Sequence, residues 1–224
     1  MHLLAKLTFA IISLSMAAFS QVAVDSTFQV RYASNLTRGD SIVNITNTGA
    51  NGASLFGPGF GTPAGNICVN VYSFSPDEQL ISCCSCLVTP NGLVNLTAKR
   101  DLVSNTLTGI YPDSIVIKLL STLAGATGSG TSCNNSAATA GQTEANRLVA
   151  GMLAWGTTLH SATAIDPPPA GTAFSITETP FNPATLSAGE LASITNRCTN
   201  IIGNGSGFGI CRSCRLGGLG GAKL

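Results

Sequence analysis

The sequence predicts a mostly β fold: an antiparallel β-sandwich, Ig-like or jelly-roll-like, stapled by disulfides and carrying one C-terminal α-helix. Three observations point there. Short runs with apolar residues at every second position recur between clusters of turn residues. Eight cysteines follow an N-terminal export signal. Clear helical spacing of apolar residues occurs near the C-terminus, behind a capping box.

The chain opens with residues 1–20, in which Lys6 precedes an apolar run over 7–19 and a small-residue site, Ala18-Phe19-Ser20, follows. This is the pattern of a secretory signal peptide, too short in its apolar part to span a bilayer comfortably, so no transmembrane anchor is expected after cleavage near Ser20. Residues 21–120 are read as the sandwich, 121–142 as a polar loop or linker, and 143–224 as a hairpin, a helix and a glycine-rich tail packed on the same domain. Val22, Val24, Phe28, Val30 and Tyr32 alternate with polar partners that include Gln29 and Arg31, a half-buried strand expected to pair within its own sheet. Residues 41–47 (SIVNITN) form a second strand with Val43 and Ile45 inward. A glycine- and proline-rich loop over 49–65 carries Leu55, Phe56 and Phe60, expected to tuck against the sandwich edge, with an exposed contact loop as the alternative.

Residues 66–88 are the organising stretch. Ile67, Val69 and Val71 share one face, with Cys68, Asn70 and Tyr72 on the other; Ser75-Pro76-Asp77-Glu78 supplies a turn, and residues 80–88 return as a strand. Strict alternation sets Cys83 with Ile81 and Leu87, and Cys84 and Cys86 with Leu80 and Val88. Both faces then meet apolar or cross-linked matter, as in a central strand. Pro90-Asn91-Gly92 is a turn, and 93–98 and 114–120 are further strands. Residues 153–160 are expected to pair with 173–179 across the Asp166-Pro-Pro-Pro loop. Ser187 with Glu190 opens a helix whose Leu191, Ile194, Cys198 and Ile201 share a stripe ending at Gly203.

The charged fraction is 9% and the hydrophobic fraction 44%, and loss of Lys6 leaves 10 basic against 10 acidic residues. A neutral mature chain lacks the clustered cations that hold nucleic acid. All eight cysteines, Cys68, Cys83, Cys84, Cys86, Cys133, Cys198, Cys211 and Cys214, are disulfide candidates in an exported protein, with Cys198 expected to join Cys211 or Cys214 in the tail. Cys83-x-x-Cys86 and Cys211-x-x-Cys214 are also spaced like two knuckles of one four-cysteine metal centre, or like redox pairs. His160, the mature chain's one histidine, would have to serve any hydrolase reading, but no GxSxG elbow is present. Asp77 and Glu78 fall far short of the oxygens calcium needs. Asn35, Asn44, Asn95, Asn134 and Asn204 begin N-x-S/T sequons.

The runs GDSIVNITNTGA, ICVNVYSFSPDEQLISCCSC, AWGTTLH and GSGFGICRSCRLGGLGGAKL resemble those of a group of secreted, cysteine-rich bacterial proteins with no assigned activity. The resemblance covers most of the mature chain and implies a bacterial, extracytoplasmic protein; it carries over no catalytic or binding residue. The expected function is that of a structural, cell-surface or extracellular interaction protein with no cofactor, whose partners are other copies or cell-surface components. A metal or redox protein using Cys83, Cys86, Cys211 and Cys214 is the alternative, and a hydrolase around His160 comes third.

Overall fold

The computed structural model describes residues 25–57, 61–134, 147–161 and 174–214. The segment expected to be a signal peptide, Phe60 and the Asp166 loop lie outside them. Among the described residues nine strands form two antiparallel sheets. The first has the order β4 (Leu80–Val88), β3 (Ile67–Phe74), β6 (Ile115–Leu123), β1 (Phe28–Ala33), β9 (Asn182–Pro183). The second has the order β5 (Leu93–Thr97), β2 (Ile42–Asn47), β7 (Met152–Ser161), β8 (Phe174–Pro180). The sandwich and the helix α1 (Ala188–Gly203) are those the sequence predicts.

Alternation explains the main core. Val43 and Ile45 from one sheet meet Val69, Val71, Ile117 and Leu119 from the other, all buried. A second apolar layer lies on the outer face of the first sheet, where Ile194, Cys198 and Ile201 of α1 cover Phe28, Tyr72, Phe74 and Leu120. Every residue of β3 and β4 is therefore buried. Ser187 Oγ accepts the Glu190 N–H and caps α1 as expected, but the Glu190 carboxylate pairs with Lys118 of β6 and does not reach back to its cap.

Five expectations need correction. In β1 the polar residues face inward: Gln29 and Arg31 lie between the sheets, Phe28 and Val30 pack toward α1, and Tyr32 is half exposed. The helix supplies a second apolar layer that a two-layer reading omits. In β4 a bulge opposite Ser73 and Phe74 shifts the register, moving Ile81 into the inter-sheet core with Cys84 and Cys86 and Leu80 to the Cys83 side. Moreover, β4 is not central but an edge strand, buried because other chain covers its edge. Finally, Leu55 and Phe56 stand exposed in their loop, 86% and 74% accessible. β6 also runs on through Ser121, Thr122 and Leu123, three residues into the stretch read as polar loop.

Arg31 acts as a strut between the sheets. Its Nη1 donates to Thr179 O at 2.7 Å and Thr179 Oγ1 at 2.6 Å, its Nη2 donates to Thr158 Oγ1 at 2.8 Å, and the guanidinium lies 5.8 Å from the Phe181 ring centroid. Burial pushes its pKa below the ordinary value, with Glu178 acting in the opposite sense. Gly156 provides the space: a Cβ there would stand 2.6 Å from Arg31 Nε and 2.8 Å from its Cδ. Gly156→Ala should cost about 1–3 kcal/mol by overpacking, read as a lowered urea midpoint at unchanged slope. Tyr72, by contrast, has a buried hydroxyl with no partner among the described residues, and burial pushes its phenol pKa up. Tyr72→Phe should leave stability unchanged or raise it by about 1 kcal/mol in the same titration.

Candidate functional site

The chemistry-bearing residues concentrate where the C-terminal tail meets β4. Residues at odd separations on a strand face opposite ways. Cys83 accordingly points outward to α1 and pairs with Cys198, their Cα atoms 5.9 Å apart. Cys84 and Cys86 point to the other side and pair with Cys211 and Cys214, at Cα separations of 5.5 and 5.0 Å. Cys68 pairs with Cys133 in a separate cluster with Leu87 and Ala124. All eight cysteines are thus paired.

Two sequence expectations fall with this pairing. Cys198 does not join the tail, because its place on the Ile194–Ile201 stripe turns it toward the sheet, directly over Cys83. Cys83 and Cys86 do not converge on one centre with Cys211 and Cys214, because three steps along a strand reverse the face. The converging set is Cys84, Cys86 and Cys214, with Cys211 joined to it through its disulfide with Cys84. The sulfurs of Cys84, Cys86 and Cys214 all lie within 4.8 Å of one another and are buried. The C-x-C spacing within a strand was the signal that identifies them.

Backbone bonds extend the tail along the β4 edge. Cys83 N donates to Gly209 O at 2.9 Å, Cys211 N donates to Cys83 O at 3.4 Å, and Ile210 bridges Cys83 in parallel register. Asn105 holds the tail from the other side, its Nδ2 donating to Gly207 O and Ile210 O. The outward N–H and C=O of Cys83 are thereby paired at the sheet edge, and Ile81 O accepts Leu107 N at 3.0 Å beside them.

Asp101, which sequence reasoning missed, anchors this arrangement. It lies in a single π-helical turn, Ala98–Leu102, directly after β5, and is 2% exposed. Its carboxylate accepts from Thr97 N at 2.7 Å, Thr97 Oγ1 at 3.0 Å and Ser213 Oγ at 2.6 Å, and pairs with Arg100 at 3.2 Å; its backbone O accepts Arg212 N at 3.0 Å. Burial alone would raise its pKa, but the bonds from Arg100, Ser213 and Thr97 outweigh it and hold the carboxyl below the usual range. An acid one turn past a strand gives no periodic signal of this role.

The other candidates are dispersed. His160 is exposed, its Nε2 2.8 Å from Thr177 Oγ1 across the β7–β8 hairpin, and among the described residues no acid bonds its second ring nitrogen. Asp77 and Glu78 form the β3–β4 turn, where Asp77 accepts from Ser75 Oγ and Glu78 takes a positive φ of 65°. Asn35 donates to Leu159 O, Asn95 to Asn44, and Asn204 accepts Ser206 N, so these sequon amides serve local structure. A groove of about 400 Å³ beside α1 holds Lys118, Glu190 and Arg197, and a cavity of about 330 Å³ under the 53–64 loop has no ionisable side chain in its lining. β8 is the exposed edge of the second sheet, with Ile176 66% accessible. Compared with known protein families, with curated proteins and with solved structures, the chain matches none.

Proposed function

We propose that the chain is an exported bacterial structural or surface-interaction protein, held in shape by disulfides in an oxidising compartment and without a catalytic role. The observation that carries this reading is the use of all eight cysteines in four buried disulfides. The apolar, Lys6-led N-terminus supports it, as does the resemblance to secreted cysteine-rich bacterial proteins. No helix among the described residues is long and apolar enough to cross a membrane. Contact with other copies or with cell-surface components would run through β8, an edge strand of the second sheet whose outer side carries no backbone bond among the described residues.

Fractionation of bacteria producing the full chain tests this. The expected product lies outside the cytoplasm, begins near Gln21 and has an intact mass eight hydrogens below that of the reduced form. A cytoplasmic product beginning at Met1 with free thiols would overturn the proposal.

A further inference from the structure

We propose that Cys84, Cys86, Cys211 and Cys214, when reduced, form a four-thiolate site for a zinc-class divalent cation. Cys84 and Cys86 lie two residues apart on a rigid strand, on one face, at 1% and 0% exposure. Cys211 and Cys214, both fully buried, approach from the tail with the two-residue spacing of a metal knuckle. A tetrahedral site with zinc–sulfur bonds of about 2.3 Å sets its sulfurs about 3.8 Å apart. Three of the four already stand within 4.8 Å of each other, and the fourth, Cys211, is bonded to Cys84.

Hydrogen bonds beside the four cysteines add to the placement of the tail ligands. Asp101 fixes Ser213 and the Arg212 N–H, which lie between the two tail ligands, and the Cys83 backbone exchanges hydrogen bonds with Gly209 and Cys211. Four protein ligands leave no open coordination position, so the site is of the structural kind. Cys83 and Cys198 face the other side of β4 and are not ligands.

The oxidised and metal-bound forms exclude one another, since they use the same sulfurs. Each disulfide takes two electrons and two protons from a dithiol, which is oxidised to its own disulfide, or two electrons from a phosphine, with water supplying the two protons and the oxygen of the phosphine oxide. Each of the four thiols then releases its proton to solvent as its sulfur binds the cation.

The test is anaerobic titration of the fully reduced full-length chain with Co2+, followed by Zn2+. One Co2+ per chain should bind, with sulfur-to-cobalt charge-transfer absorption and tetrahedral d–d bands that Zn2+ abolishes. Cys84→Ser with Cys86→Ser should remove these bands, while Cys83→Ser with Cys198→Ser should keep them. Far-UV circular dichroism of the reduced wild-type chain guards against a variant that merely fails to fold: Zn2+ should preserve or restore the strand signal. The absence of saturable uptake at one equivalent, bands that survive the Cys84/Cys86 change, or a reduced chain that stays unfolded with Zn2+ would each overturn the assignment.

Discussion

Serine at Cys84, Cys86, Cys211 and Cys214 together should lower the stability of the oxidised chain by about 5 kcal/mol and turn it from a monodisperse into a self-associating species. The magnitude follows from chain entropy. With Cys83–Cys198 intact, the Cys84–Cys211 bond closes a loop of about 15 residues, worth about 3 kcal/mol, and Cys86–Cys214 then closes a much smaller one worth about 2 kcal/mol. Removing Cys86–Cys214 alone should therefore cost about 2 kcal/mol. The change of state follows from the edge: a released tail leaves the Cys83 N–H and C=O, on the outer side of a strand apolar on both faces, without their backbone partners. Urea unfolding gives the first quantity, and sedimentation at increasing protein concentration gives the second. Equal stability of the quadruple variant and the parent would contradict the tail's structural role.

Asp101→Ala should cost about 3 kcal/mol, because it strands the part-buried Thr97 N–H and Ser213 hydroxyl that now donate to the carboxylate. The same carboxylate makes stability depend on pH. Its folded-state pKa is depressed, so its contribution is fully present above the unfolded value of about 3.9 and is lost as pH falls through the lower folded value. The difference in urea midpoint between parent and Asp101→Asn should accordingly hold steady from pH 7 to about 5 and narrow below about pH 4. A gap that stays constant into strong acid would show that the carboxylate charge contributes nothing.

The strands were legible where local pattern and tertiary setting agree. The 67–88 hairpin, the β2 strand, the β7–β8 pairing and the Ser187 cap all follow from alternation and turn chemistry. The inward direction of β1 was not legible, because Phe28 and Val30 serve a layer made by a helix some 160 residues later, while Arg31 is buried on three hydrogen bonds that come from β7 and β8. The β4 bulge was hidden for a related reason: it depends on the partner strand's register, not on the Leu80-Ile81 pair itself. At the cysteine cluster, face alternation along β4 separates Cys83 from Cys84 and Cys86 without any structure. The partners of each face could not be read, since they depend on where α1 and the tail dock.

The central claim is that the C-terminal tail is pinned to the inner side of β4 while α1 is pinned to its outer side. Non-reducing peptide mapping of the exported protein tests it most directly, with cleavage between Cys198 and Cys211 and fragmentation between Cys83, Cys84 and Cys86. The predicted pairs are Cys68–Cys133, Cys83–Cys198, Cys84–Cys211 and Cys86–Cys214. Recovery of Cys198 joined to Cys211 or Cys214, or of Cys84 and Cys86 as free thiols, would contradict it.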